Sequence, residues 1–183
     1  MVDAAKTRMT AQEFFELPET NTPTELIDGE LIQMPSPVPN HQSVVVRSIL
    51  VLTPLTTAIG GTLFVAPLDV YFDEDNVPQP DVIWVAPDSK CAIGDKRLIG
   101  PPDLIVEVFS PGTHRTDKRK KFRLYQKYGV REYWMIDPVE LYIEVWQHNG
   151  ERFDLIDVFE VGDTFASPVL NGQSIEVKAI FGN

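Results

Sequence analysis

The run Asp103-Leu-Ile-Val-Glu-Val-Phe109 constrains what this chain can fold into more than any other segment. Between Leu104 and Phe109 it is apolar at every position except Glu107, the composition of a central strand covered on both faces. Side chains alternate across a strand, so Asp103, Ile105 and Glu107 share one face while Leu104, Val106 and Val108 share the other. Glu107 therefore stands where an ionised carboxylate is costly unless a cation, a metal or hydrogen-bond donors meet it. A structural salt bridge and a functional site are both open readings of that position.

The next element supplies a partner. Arg115 to Tyr128 reads as a helix stopped by Gly129. At about 100° per residue, Lys121 occupies the centre of a stripe with Asp117, Leu124, Tyr125 and Tyr128. Arg115, Arg119, Arg123, Gln126 and Lys127 point to the other side. An Asp117–Lys121 pair one turn apart explains part of this as local stabilisation. It does not explain why both charges lie on the stripe that should dock against the sheet, which a functional role would. Tyr125 is read as packing, with a hydroxyl able to orient Lys121. Lys118, at the stripe's edge, and Lys120, well off it, are weaker alternatives to Lys121.

Asp81 follows Pro80 at the start of the apolar strand Asp81–Val85, where its carboxylate can face a site at the strand end. Two carboxylates converging on an oxygen-loving cation make a Mg²⁺-type site that keeps several waters. A cation so held polarises a phosphodiester and activates water, and a nearby ammonium stabilises the charge developing on phosphorus. Asp103 repeats the Pro-Asp pair and shares Glu107's face, so it competes with Asp81. Asp81 is preferred because a metal site usually draws its carboxylates from different strands.

Around these segments the punctuation is clear. Thr10 and Glu13 form a capping-box pattern before a short helix, Ala11 to Leu17. Glu25 to Met34 reads as a hairpin turning at Asp28-Gly29. His41 to Ile59 reads as a largely buried helix that Pro54 bends or interrupts. Strands are expected at 63–65, 68–72, 81–85, 103–109, 132–136, 141–146, 153–159 and 174–177, and a loop over 87–100. One helix interrupting a strand series predicts a mixed α/β or α+β sheet in a single domain.

The formal charge of −11 argues against a protein that coats nucleic acid nonspecifically. Yet eight of the sixteen Lys and Arg residues fall between Arg115 and Arg131. That segment is either a solvated helix face or a guide for an anionic substrate. In the second case Arg115 and Lys118 are candidates for holding substrate phosphate. Cys91 is the only cysteine, so neither an internal disulfide nor a cysteine zinc cage is expected. No apolar run reaches bilayer length and the first ten residues do not read as a secretory signal; a cytoplasmic protein without a membrane is expected.

Pro80-Asp81 followed by Glu107 on a strand resembles the PD-(D/E)xK nuclease superfamily. More closely, Glu25-Leu-Ile-Asp-Gly29, Pro80-Asp81-Val-Ile, Glu107-Val-Phe-Ser-Pro111, Asp117-x-x-x-Lys121-x-x-x-Tyr125 and Glu132-Tyr-Trp-Met-Ile-Asp-Pro138 resemble the bacterial restriction-endonuclease family designated domain of unknown function 820. The resemblance spans roughly residues 10 to 180. It implies a restriction-endonuclease-like core with a central mixed sheet flanked by helices, Mg²⁺- or Mn²⁺-dependent cleavage of DNA, and a homodimer. It also implies attention to Glu25, as a further metal or neighbouring carboxylate, and to His41, which matches a family position. Glu25 otherwise reads as a hairpin surface charge and His41 as a cap or core residue. The superfamily lysine two residues after the glutamate is here Phe109, and Lys121 is the candidate for the migrated amine. A non-catalytic interaction protein keeping the fold, or an RNA- or nucleotide-directed phosphodiesterase, are the competing functions.

Overall fold

The computed structural model describes residues 8–18, 22–109 and 115–182, the side chains of 115–117 excepted. In chain order the elements are α1 (Ala11–Phe15), β1 (Thr24–Ile27), β2 (Glu30–Gln33), α2 (Pro39–Ile59), β3 (Thr62–Val65), β4 (Val70–Tyr71), β5 (Val82–Val85), β6 (Ala92–Ile93), β7 (Leu98–Ile99) and β8 (Leu104–Val108). There follow α3 (Arg115–Tyr128), β9 (Glu132–Asp137), β10 (Tyr142–His148), β11 (Phe153–Glu160), β12 (Thr164–Ser167), β13 (Gln173–Glu176) and α4 (Val177–Phe181).

Six strands form the central mixed sheet in the order β11-β10-β9-β8-β5-β3. β8, the apolar strand that carries Glu107, is buried at all five positions and lies between β5 and β9. It pairs parallel with β9 and antiparallel with β5. A parallel pair needs a long crossover, and α3 supplies it. Leu124 and Tyr125 of α3 pack on the face holding Ile83, Ile105, Tyr133 and Met135. The opposite face, with Val82, Trp84, Leu104, Val106 and Val108, is covered by α2 through Val44, Val45 and Leu52 and by α4 through Ile180 and Phe181.

The hairpin turns at Asp28 and Gly29, whose φ values of 52° and 72° lie in the left-handed region a two-residue turn of this kind requires. It is docked rather than free. Leu26 exchanges backbone hydrogen bonds with Val77, and the Asp28 N–H donates to Asn76 Oδ1 at 2.9 Å. Thr10 caps α1 through the expected reciprocal pair with Glu13.

Several expectations are corrected. The 87–100 loop contains β6 and β7, which pair with each other and with β4 in a separate small sheet. The 68–72 strand is accordingly only β4, outside the central sheet. Two-residue strands leave no periodicity to read. Pro54 lies inside α2 without ending it, on an exposed position. By length and composition α2, with mean hydropathy 1.4 over its most apolar window, is long and apolar enough to cross a bilayer. Its apolar run is interrupted, by the charged Arg47 among others, and the Ser48 and Thr56 hydroxyls bond back to the Val44 and Leu52 carbonyls. Its inner face packs on the central sheet.

Candidate functional site

Extending the β5–β8 ladder one step beyond Val82↔Val106 sets Asp81 opposite Glu107. Directly opposed residues point to the same face of a sheet, so the two carboxylates come from adjoining strands to one place. Asp81 is pinned there. Its Oδ2 accepts from the Val108 N–H at 2.8 Å and lies 3.3 Å from His41 Nε2, in the first turn of α2. Asp81 Oδ1 and Glu107 Oε2 carry no hydrogen bond among the described residues.

Beneath them is a closed charge network. Lys121 Nζ is 3.0 Å from Glu107 Oε1 and 2.8 Å from Glu25 Oε1. Tyr125, one turn along the same face of α3, donates its hydroxyl to Glu107 Oε1 at 2.7 Å. Glu25 Oε1 also accepts from the Gln79 N–H at 2.7 Å, while its Oε2 is buried without a partner among the described residues, as is His41 Nδ1. The lysine side chain is 7% exposed and that of Glu25 1%. Low local dielectric makes each of these interactions strong and each unpaired charge costly.

One ammonium thus faces more negative charge than it neutralises. Burial, reinforced by Asp81 and Glu25 against the opposing effects of Lys121 and Tyr125, pushes the Glu107 carboxyl up to about 7. Burial alone would lower Lys121, but Glu107 and Glu25 outweigh it and hold its pKa above the ordinary lysine value. For His41 burial again opposes the charge, and the hydrogen bond and charge of Asp81 overcome it, so its pKa is raised. Burial lifts the Tyr125 hydroxyl well above the ordinary phenol value, keeping it a donor.

The fold therefore brings together Asp81, Glu107, Lys121, Glu25, His41 and Tyr125. Glu25 is no hairpin surface charge: the docking of β1 on Val77 turns it inward. Asp103 is separated from the group. It lies four residues from Glu107 along the strand direction, about 13 Å away at strand rise, and its oxygens accept from the Ala86 N–H at 2.8 Å and Arg131 at 3.1 Å. Arg115 and Asp117 lie in the first turn of α3, and their side chains are outside the described residues.

Several cations of the basic segment are paired within the fold. Lys118 faces Glu144 at 3.3 Å, Lys120 faces Glu30 at 2.9 Å and Arg131 faces Asp103 at 3.1 Å. Gln79 fixes Glu25 by its backbone and Asp69 by its side chain, and its only signal in the sequence is its place between two prolines. Phe109, which stands where the superfamily lysine would be, carries Lys118 Nζ at 4.1 Å from its ring centroid. Asp81, Glu107 and Lys121 open onto a cleft of about 180 Å³, whose other walls come from the Pro-rich segment before α2 and from Ala66-Pro67.

The donor chemistry fits a divalent cation in part. Asp81 and Glu107 offer two hard oxygens without other partners among the described residues, as a cation that retains water requires. No cluster of three His, Cys, Asp or Glu side chains able to hold an ion is gathered among the described residues.

Residues 11–178 match the Uma2 family, described as "Putative restriction endonuclease". The chain is also similar to a solved crystal structure from Anabaena variabilis ATCC 29413, described as a "putative nuclease belonging to DUF820". That likeness has 24% identity and a TM-score of 0.77, covering 95% of this chain and 98% of the other. At this identity it establishes the fold. No curated protein matches the chain. The match over most of its length makes the chain a member of the Uma2 family.

Proposed function

We propose that this Uma2-family member is a metal-dependent nuclease that hydrolyses phosphodiester bonds in DNA, with Asp81 and Glu107 holding Mg²⁺ or Mn²⁺. The observation that carries the reading is the pair of carboxylates from adjoining strands, each with an oxygen unbonded among the described residues, at the mouth of one cleft. Mg²⁺ or Mn²⁺, when bound, supplies Lewis-acid polarisation of the phosphodiester and acidifies water.

The chain's own residues do the rest. The Val108 N–H fixes the Asp81 carboxylate, leaving its other oxygen toward the site. Lys121 and Tyr125 hold one oxygen of Glu107 and leave the second without a hydrogen bond among the described residues. Lys121 favours the ionised form of Glu107, which burial opposes. Its ammonium adds positive potential close to where phosphorus charge develops. His41, held on Asp81 through Nε2, helps to fix the Asp81 carboxylate.

Purified protein with Mn²⁺ should cleave DNA, and Asp81→Asn or Glu107→Gln should lower the rate by about 10²-fold or more while calorimetric Mn²⁺ binding weakens. Absence of cleavage on single-stranded, duplex and branched DNA, together with no Mn²⁺ heat, would remove the proposal. One observation favours a non-catalytic interaction protein of the same fold: Lys121 is already closed between two carboxylates. That reading fails if cleavage disappears in Asp81→Asn with folding intact.

A further inference from the structure

The cleft beside the carboxylates is apolar where a site for duplex phosphates would be cationic. Its walls include Met34, Pro35, Pro37, Pro67, Phe109 and Tyr133. The two lysines that line it, Lys118 and Lys121, are both engaged with carboxylates. Duplex binding rests on free cations that displace counterions from a regular row of phosphates. Among its described residues this cleft offers none, on a chain of net charge −11.

Its size is that of a single ring system. An apolar cavity of about 150 Å³ takes up one benzene molecule, and this cleft measures about 180 Å³. Proline rings, a thioether and two aromatic rings, Phe109 and Tyr133, line it, and contact with an aromatic ring accepts any base because every base has a π face. Lys118 sits over the Phe109 ring at 4.1 Å from its centroid and restricts the plane the ring presents. Gln42 lies on the exposed rim, where its amide can meet a base edge.

We propose that this cleft is a base pocket: it takes one unstacked nucleobase next to the phosphodiester presented to Asp81 and Glu107, so that the substrate is single-stranded or locally unpaired DNA. The inference rests on the phosphodiesterase reading of the same site. A base inside a duplex would have to be extruded, a cost that unpaired DNA does not incur.

The test uses fluorescein-labelled DNA of one sequence in four forms: single strand, single strand with central abasic sites, full duplex, and duplex with an unpaired bulge. Binding is read by anisotropy in Ca²⁺ and cleavage separately in Mn²⁺. The single strand and the bulged duplex should bind at least about tenfold tighter than the full duplex, and abasic sites should lower single-strand affinity by about tenfold. Met34→Trp, which enlarges a side chain lining the cleft, should bring the base-containing strand down to the abasic level and leave the abasic strand unchanged. Equal affinity for abasic and base-containing strands, or preference for full duplex, overturns the base pocket even if Met34→Trp fails to fold. Cleavage of all forms without base dependence keeps the phosphodiesterase and sinks the pocket. Base-dependent binding without cleavage does the reverse, and the loss of both removes both.

Discussion

Replacing Lys121 by methionine keeps most of the side chain's volume and deletes the one ammonium between Glu25 and Glu107. The side chains of Lys121, Glu25 and Glu107 are 7%, 1% and 10% exposed, so solvent can take over little of the lost charge. Breaking a buried pair from one side costs about 3–5 kcal/mol. In a chain of this length each kcal/mol shifts Tm by about 2–4 °C, giving a fall of roughly 6–20 °C. The loss must also depend on pH. Glu107 is already raised from the ordinary 4.5 to about 7, so the native protein keeps a proton that the unfolded chain has released. Its contribution to stability therefore falls as pH rises through that window. Without Lys121, which opposes that rise, Glu107 holds its proton to still higher pH, and the penalty grows from pH 5 to pH 8. Urea unfolding at both pH values measures this, and Glu25→Gln added to Lys121→Met should recover part of the loss through the coupling of the two sites. A loss below about 1 kcal/mol at pH 8, or one of equal size at pH 5, would show that Lys121 is not the centre of a desolvated charge network.

Tyr125→Phe removes the hydroxyl that donates to Glu107 at 2.7 Å. It should cost about 1.5–3 kcal/mol, the range for hydrogen bonds to charged groups. Because that bond opposes the rise of the Glu107 pKa, the carboxyl should titrate at higher pH in the variant, read by NMR of carboxyl-labelled glutamate without added metal. Unchanged titration would separate Tyr125 from Glu107. Asp103→Ala leaves the buried Ala86 N–H without its acceptor and should cost about 1–3 kcal/mol by thermal unfolding. Arg131 is more than half exposed and adds little to that loss. Mn²⁺ binding by calorimetry should be unaltered in this variant, and its loss would return Asp103 to the site.

Much of the site is legible in the sequence because each clue is local. A carboxylate inside an apolar strand needs a partner wherever that strand lies, and helical periodicity turns Lys121 and Tyr125 toward the sheet. Both inferences use only the spacing of neighbours in one element. The rival claims of Asp81 and Asp103 could not be decided that way, since each follows a proline and begins an apolar run. The antiparallel register of β5 on β8 separates them in space, placing Asp81 opposite Glu107 and Asp103 near Val85 at the far end. Glu25 is equally ambiguous in its hairpin until β1 docks against Val77, where the backbone of Gln79 and the ammonium of Lys121 close on it. The basic run of α3 is open in the sequence to a solvated face or a guide for an anionic substrate, and Glu144, Glu30 and Glu107 come from distant strands to pair with three of its lysines. The sequence by itself thus determined that Glu107 is partnered and that α3 carries the partner. Only the tertiary structure decided which carboxylate stands beside it and how much of the positive charge remains unpaired, because both depend on strand pairings between residues far apart in the chain.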